Sequence, residues 1–266
     1  MTANEQIREH YEESLKYFSN NHIVGVFCAG SQNYGLDYED SDMDSKLIIT
    51  PSLLDISINK KPTSSTHVKE NGEHIDFKDI RLYFETFRKQ NLNFIEILFT
   101  PYKVINPLYE KEWNELIENR EYVAYMNPYR AVKAMMGIAS NRYHMAYSPN
   151  SSKLDLINKY GYDGKSISHI IRINDYLKKY INYMSYEECL RPEGETKDLI
   201  MSYKKNIVSR EKADYDAKYY LDNVLQMGRD FCSETKNKEN AVTYKFLQDI
   251  CYNIMKISLE KELEIK

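Results

Sequence analysis

The hydrophobic positions in the first hundred residues follow a helical period at the start and strand-like runs after it. Apolar side chains three or four positions apart predict an amphipathic helix over residues 5–19. Residues 23–29 form a nearly continuous apolar run, which is typical of a strand buried on both faces. Residues 46–50 predict a second strand, halted by Pro51, and the alternation over residues 74–78 predicts a third. A small sheet therefore follows the first helix.

The rest of the chain is dominated by helical periodicity. Asp79 suits the N-cap of a helix over residues 80–90, whereas residues 51–72, rich in Lys, Ser and Thr, predict an irregular excursion. Further helices are predicted over residues 109–118, 128–145, 164–184, 197–206, 212–231 and 240–262. The pattern predicts an α+β fold, with a sheet-containing domain over residues 1–105 and an all-α domain over residues 106–266.

Composition and charge narrow the class of protein. Hydrophobic residues at 42% and charged residues at 29% are typical of globular proteins. No apolar run is long enough for a membrane span and the N-terminus lacks a signal-peptide pattern, so we expect a cytoplasmic protein. The four widely spaced cysteines predict neither a zinc site nor a disulfide framework. The net charge of −4 excludes an overall positive surface, so RNA would need a local basic groove.

Two aspartates at the start of the second predicted strand are the main candidates for chemistry. Asp42 and Asp44 are two residues apart, so their side chains project from one face about 7 Å apart along the strand. Such oxygen ligands suit Mg²⁺ or Mn²⁺, and two of these ions can activate a hydroxyl and neutralise a triphosphate. Asp76, on the face of the third strand opposite Ile75 and Phe77, is the candidate third carboxylate. All three aspartates are predicted to be metal ligands and catalytic residues.

The acidic cluster has two other interpretations. A solvated acidic loop can carry the same residues, and a lone Asp-x-Asp pattern is weak evidence for function. An EF-hand calcium loop matches at Asp40, Asp42 and Asp44. However, Ser45 replaces the required glycine and Pro51 replaces the bidentate glutamate, so the calcium interpretation is excluded.

A Gly-Ser pair precedes the aspartates in the sequence. Gly30 and Ser31 follow the first predicted strand, and a helical turn is expected to continue to Gly35. The backbone N–H groups of that turn, with the Ser31 hydroxyl, would form a cradle for phosphate oxygens. A strand followed by Gly-Ser is usually only a turn, and no Walker A loop is present. The order of strand, Gly-Ser, Asp-x-Asp and a further strand aspartate is what favours a nucleotidyltransferase.

Basic residues of the second domain form a stripe on one predicted helix. Lys165, His169 and Arg172 stand at positions i, i+4 and i+7 and share a helix face. Three potential cations suit a triphosphate, although an ordinary solvated face explains them equally. Arg172 would bind phosphate oxygens bidentately, and Lys165 would act as a point charge. Arg142 and His144 form another polar pair that a helical surface explains.

These motifs resemble those of the polymerase-β-like nucleotidyltransferase superfamily. Residues 30–35, with the sequence GSQNYG, and residues 40–44, with the sequence DSDMD, are similar to the version found in the RNA-ligase-associated nucleotidyltransferase family of bacteria and phages. Residues 74–76 resemble the strand that carries the family's third carboxylate, and residues 92–96 resemble its Asn-and-Glu segment. Residues 161–165, with His169 and Arg172, resemble its helical-domain signature.

The resemblance implies a nucleotidyltransferase-type mixed sheet flanked by helices, and a helical domain that closes over NTP and two Mg²⁺ ions. It implies template-independent transfer of NMP from NTP to an acceptor hydroxyl with release of pyrophosphate. Gly30 and Ser31 would hold the triphosphate, and Asn93 and Glu96 would support the site or only cap a helix. The association of the family with RNA ligases makes an RNA end one acceptor. A protein or small-molecule acceptor, or an inactive member that binds a partner such as a toxin, are the alternatives. The preferred NTP and the oligomeric state stay open.

Overall fold

The structure, a computed structural model, describes residues 2–38, 43–148 and 153–264. Contacts between residues divide the chain into two compact units. The sheet unit comprises Met1–Asn33, Asp37–Met126 and Glu239–Lys266, and the helical unit comprises Tyr34–Leu36 and Asn127–Lys238.

Within the described residues, the sheet unit contains one mixed five-stranded sheet. Its strands are β1 (Ile23–Ala29), β2 (Asp44–Ile49), β3 (Ser64–Val68), β4 (His74–Asp79) and β5 (Lys103–Ile105). Their order across the sheet is β3-β4-β2-β1-β5, in which β2 and β4 run parallel and the other neighbours antiparallel. The three strands predicted from the sequence correspond to β1, β2 and β4.

Helices make up most of the remaining described chain. They are α1 (Ala3–Ser14), α2 (Leu53–Ser57), α3 (Ile80–Arg88), α4 (Leu92–Ile95), α5 (Glu110–Glu118), α6 (Arg120–Ala124), α7 (Pro128–Tyr147), α8 (Leu154–Tyr160), α9 (Gly164–Ile181), α10 (Tyr186–Leu190), α11 (Gly194–Lys204), α12 (Arg210–Glu234) and α13 (Ala241–Glu264). The predicted fold class, a mixed sheet with flanking helices followed by a helical region, is confirmed.

Helix α1 covers one face of the sheet. Its Ile7 is fully buried in a cluster with Val26, Leu47 and Ile75 of three neighbouring strands. The helix ends at Ser14, earlier than the predicted residue 19, and the Ser14 hydroxyl donates to the carbonyl of His10 at 2.7 Å. Such bonding of a serine back to the preceding turn weakens a helix at that point.

The opposite face of the sheet carries both apolar packing and the polar residues of interest. Phe27 of β1 packs against Trp113 of α5, with ring centroids 4.5 Å apart. Phe27 is paired with Lys46 of β2 across the sheet. Since side chains alternate between the faces of a strand, Asp44 and Lys46 project from this second face.

Residues 51–72 contain regular structure where an irregular excursion was expected. Helix α2 is capped by Ser52, whose hydroxyl accepts a hydrogen bond from the Asp55 N–H at 3.1 Å. Strand β3 pairs with β4 at the edge of the sheet and is largely exposed. A strand with little buried surface shows no hydrophobic alternation, which explains why the sequence pattern missed it.

The last helix belongs to the sheet unit and not to the helical one. Helix α13 packs against α3, α5 and α6. Its Ser258 hydroxyl lies 2.6 Å from that of Thr50, and its Glu262 accepts a hydrogen bond from the Leu53 N–H at 2.7 Å. The predicted boundary after residue 105 therefore differs from the observed grouping, in which residues up to 126 and from 239 onward join the sheet. Helical periodicity predicts a helix but not the surface on which it packs.

Helix α9 is the central element of the helical unit, where α7, α11 and α12 pack against it. Its side chains are buried on several sides, including Ile167, Ile170 and Tyr176. None of the helices in the described residues is both long and apolar enough to cross a membrane.

Candidate functional site

The Gly-Ser turn at the end of β1 is held by side chains behind it. Residues Gly30–Tyr34 form a short 3₁₀ helix, as the sequence predicted. Gly30 has a φ of +79°, a left-handed conformation that favours glycine. Its N–H donates to the Glu96 carboxylate at 3.4 Å, and the Asn33 side-chain amide donates to the Cys28 carbonyl at 2.8 Å. The Gly30 N–H is therefore directed at Glu96, and Ser31 is partly exposed.

Asp44 lies directly beside this turn. It is the first residue of β2 and is paired with Ala29, the last residue of β1. A Cβ atom added to Gly30 would stand 4.0 Å from one Asp44 carboxylate oxygen. The other oxygen, Oδ1, lies 3.3 Å from His74 Nδ1, and the Asp44 side chain is 47% exposed. The Asp44 side chain is thus about half exposed beside the predicted phosphate cradle, and its Oδ1 atom is buried.

Acidic side chains lie near the Gly-Ser turn, some of them buried and some at the surface. Burial raises the pKa of the Cys28 thiol far above its ordinary value, and the nearby charges of Glu96, Asp44 and Asp37 raise it further. Glu96 is only 2% exposed. The sequence left two roles for Glu96, support of the site or capping of a helix. The hydrogen bond that its carboxylate accepts from the Gly30 N–H agrees with the first. The residue that caps α4 is Asn91 and not Asn93, since the Asn93 N–H donates to the Asn91 side chain at 3.1 Å.

Asp76 lies on the neighbouring parallel strand and on the same face as Asp44. The register pairs Asp44 with His74 and Lys46 with Asp76, so the two aspartates are diagonal neighbours. The Asp76 carboxylate accepts hydrogen bonds from Lys46 and Thr66, each at 2.5 Å. Burial alone would raise the pKa of Asp76, but these two bonds outweigh it and hold the pKa below 3.8. Asp76 is therefore ionised at neutral pH.

Asp42 lies outside the described residues, and so does Asp40. In the part of the chain that the structure describes, no group of three or more His, Cys, Asp or Glu side chains is arranged to hold a metal ion. Asp44 and Asp76 nevertheless offer carboxylate oxygens on one face of adjacent strands. Hard oxygen donors of this type fit Mg²⁺ or Mn²⁺, and a zinc or copper site would instead need nitrogen or sulfur ligands.

The predicted basic stripe lies on α9 of the helical unit. Asp163 caps this helix by accepting from the Lys165 N–H at 3.1 Å. Lys165 is exposed, His169 is partly exposed and Arg172 is 3% exposed. The Arg172 guanidinium lies over the ring of Tyr34, 3.9 Å from its centroid. Tyr34 comes three residues after Ser31 in the sequence and belongs to the helical unit.

Two further cations that the sequence interpretation did not assign join this stripe. Burial lowers the pKa of Arg142 on α7, and the charge of Arg172 lowers it further. Lys204 of α11 donates to the carbonyl of Leu36. Neither residue stands at a helical spacing from Lys165 in the sequence. The packing of α7 and α11 on α9 is what places them near the stripe. Arg142, explained from the sequence as an ordinary surface residue, lies close enough to Arg172 for the two charges to interact.

His169 lies among these cations and does not act as one of them. Burial lowers its pKa well below 6.5, and the charges of Arg172, Arg142, Lys165 and Lys204 lower it further. His169 is therefore neutral at pH 7, and the interpretation of the stripe as three cations is corrected to two. We call Arg142, Lys165, His169, Arg172 and Lys204 the cation cluster. Positive side chains gathered around one point favour an anionic ligand.

Comparisons with known proteins add little to this geometry. No protein-family model matches the chain, and no curated protein does. Among solved structures, the chain is similar to a nucleotidyltransferase-like protein from Exiguobacterium sibiricum 255-15, with a TM-score of 0.32 and 10% sequence identity. The similarity covers 86% of this chain and 75% of that chain. A likeness this weak does not establish a shared activity, so function has to be inferred from the site.

Proposed function

We propose that this protein is a metal-dependent nucleotidyltransferase, which moves a nucleoside monophosphate from NTP to an acceptor hydroxyl. The observation that carries the proposal is the placement of Gly30, Asp44 and Asp76. A glycine turn, an exposed aspartate beside it and a second aspartate on the adjacent parallel strand lie at one end and on one face of the sheet. The order of these residues in the sequence is the one that the nucleotidyltransferase resemblance requires.

Asp42, Asp44 and Asp76 would hold Mg²⁺ or Mn²⁺, which would neutralise the triphosphate and make the acceptor hydroxyl a better nucleophile. The acceptor oxygen attacks the α-phosphorus, a new phosphorus–oxygen bond forms, and the α–β bond breaks. Pyrophosphate leaves with the electron pair of that bond. Asp76 is ionised, so it can accept the hydroxyl proton and pass it to water.

Within the helical unit, the cation cluster is proposed to bind phosphate groups of a nucleotide. Arg172 is preorganised by its stacking on Tyr34, so little side-chain entropy is lost when its planar fork binds phosphate oxygens. Lys165 and Lys204 supply point charges, and neutral His169 can donate a single N–H. In the sheet unit, Ser31 is proposed to donate its hydroxyl and N–H to phosphate oxygens of NTP.

The direct test is substitution of the exposed carboxylate. Asp44→Asn removes one charge and leaves the shape of the side chain unchanged, so the fold should persist. We expect the transfer of labelled nucleotide to fall about 10³-fold, equivalent to about 4 kcal/mol of barrier. The assay contains Mg²⁺, each of the four NTPs, and RNA, protein and metabolite fractions as acceptors.

Asp249→Asn is the matched control, since Asp249 is an exposed aspartate on α13 that pairs with Lys245. This variant should transfer nucleotide at the normal rate. Thermal unfolding of both variants separates loss of activity from loss of structure. If Asp44→Asn retains more than a tenth of the normal rate, Asp44 does not have the proposed role.

A further inference from the structure

Two lysines project from the same face of the sheet as Asp44 and Asp76. Lys46 follows Asp44 by two residues on β2, and Lys78 follows Asp76 by two residues on β4. Both ammonium groups lie over the ring of Phe94 from α4, at 5.1 Å for Lys46 and 4.0 Å for Lys78. The ring therefore brings the two ammonium groups close together.

One carboxylate is bonded to one of these two lysines. The Lys46 ammonium lies 2.5 Å from the Asp76 carboxylate. Lys78 stands two residues from Asp76 along β4 and on the same face. Two lysines thus neighbour this carboxylate in a protein whose net charge is −4.

We propose that Lys46 and Lys78, which we call the lysine seat, bind a phosphate group of the acceptor. The inference rests on the proposed transfer reaction and specifies its second substrate as a molecule that carries a phosphate near the hydroxyl it offers. The acceptor phosphate would lie beside Asp76, which is the residue proposed to take the hydroxyl proton. The cation cluster, which lies in the helical unit, serves the triphosphate of NTP instead.

Phosphate suits the lysine seat better than a nucleobase does. The Phe94 ring is the one aromatic group that the two lysines contact in the described structure, and Lys78 at 4.0 Å covers it, which leaves less surface for stacking a base. Thr66 of β3 is exposed beside Asp76 and donates its one hydroxyl hydrogen to that carboxylate. The donors left for a phosphate are the ammonium groups, each with three N–H bonds, which match the acceptor oxygens of a phosphate.

The test is binding of defined probes to the full-length chain without NTP. The probes are a fluorescent single-stranded oligoribonucleotide, a nucleoside monophosphate and the corresponding phosphate-free nucleoside. Fluorescence anisotropy measures the first, and calorimetry the others. We expect the two phosphate-bearing probes to bind and the nucleoside to bind at least tenfold more weakly. The affinity of the oligoribonucleotide relative to the monophosphate distinguishes an RNA end from a small phosphorylated acceptor.

Three variants assign the binding to the lysine seat. Lys78→Met keeps the apolar stem against Phe94, and we expect it to weaken oligoribonucleotide binding about tenfold. It should also reduce the slope of log affinity against log salt by about 0.7. Lys78→Arg should restore binding. Asp76→Asn removes the opposing carboxylate, so it should strengthen binding severalfold, an opposite effect that general unfolding would not produce.

Lys111→Met, at an exposed lysine of α5, is the control and should bind normally. Equal binding of the nucleoside and its monophosphate to the unmodified protein would overturn the proposal, as would unchanged affinity in folded Lys78→Met. Failure of the transfer reaction itself would look different. In that case no acceptor would be labelled, although phosphate probes would still bind in a manner that depends on Lys78.

Discussion

Two charged clusters, one in the sheet unit and one in the helical unit, are built in opposite ways. In the cluster of the sheet unit, carboxylates are paired with basic side chains. Asp76 is bonded to Lys46, and buried Glu73 lies 3.0 Å from His10 and 2.6 Å from Lys69. These pairs place opposite charges beside Asp76 and Glu73 within the folded chain.

In the helical unit, the cation cluster gathers like charges around a neutral histidine. The pKa of His169 is lowered by burial and by four positive side chains, and no negative residue is among its causes. Gathering like charges costs folding free energy, and an anion bound there would offset the cost.

Among the effects that separate the two units, the largest is expected from removing the buried charge of the helical unit. Without divalent cations, Arg172→Met should weaken the binding of inorganic triphosphate about 100-fold, equivalent to about 2.7 kcal/mol. Arg172 is only 3% exposed, so water screens its charge weakly. Asp44→Asn should leave this metal-free binding unchanged, which calorimetry can measure.

Arg229→Met is a suitable control for that experiment, because Arg229 is an exposed arginine on α12 in the same unit. Equal losses in the two arginine variants would show only a general effect of charge. A loss in Asp44→Asn without metal would contradict the separation of roles between the two units.

A smaller effect should appear in the pH dependence of stability. The folded pKa of His169 lies below its unfolded value of 6.5, so the unfolded chain takes up a proton first as the pH falls. Stability is therefore fully present above about pH 6.5 and declines below it, by at most about 1.4 kcal/mol per pH unit for one group. His169→Gln should flatten this decline in urea unfolding at a series of pH values.

The same titration compares the two units directly. Burial also lowers the pKa of His10 and of His22 in the sheet unit, despite neighbouring carboxylates that raise both. Added pyrophosphate should raise the pKa of His169 alone, as followed by NMR of the histidine ring protons. An equal shift in all three histidines would argue against a specific anion site in the helical unit.

The smallest expected effect concerns the glycine turn of the sheet unit. Gly30→Ala places a Cβ in a left-handed conformation and should destabilise the protein by about 1 kcal/mol. Gly72→Ala is the matched control, since Gly72 has a φ of +89° and nothing within 4 Å of an added Cβ. Chemical unfolding should give similar losses for both, while nucleotide transfer should fall only in Gly30→Ala. A fall in both would remove the turn from the proposed site.

Local features of the sequence predicted much of the fold and part of the site. The period of apolar residues located β1, β2, β4 and the longer helices, and Asp79 caps α3 as expected. Gly30 follows β1 and Asp44 begins β2, so their proximity follows from the antiparallel pairing of these two strands. Edge strand β3 escaped prediction because it buries too little surface to show a pattern.

The sequence by itself determined which segments form helices and strands and which residue types could bind metal and phosphate. These properties follow from backbone preference and from a period of burial within a few residues. Tertiary structure alone decided that Asp76 faces Lys46, that Arg142 and Lys204 join His169, and that α13 packs on the sheet unit. Such contacts join segments far apart in the chain, and their register is set by how the whole set of apolar faces is buried together.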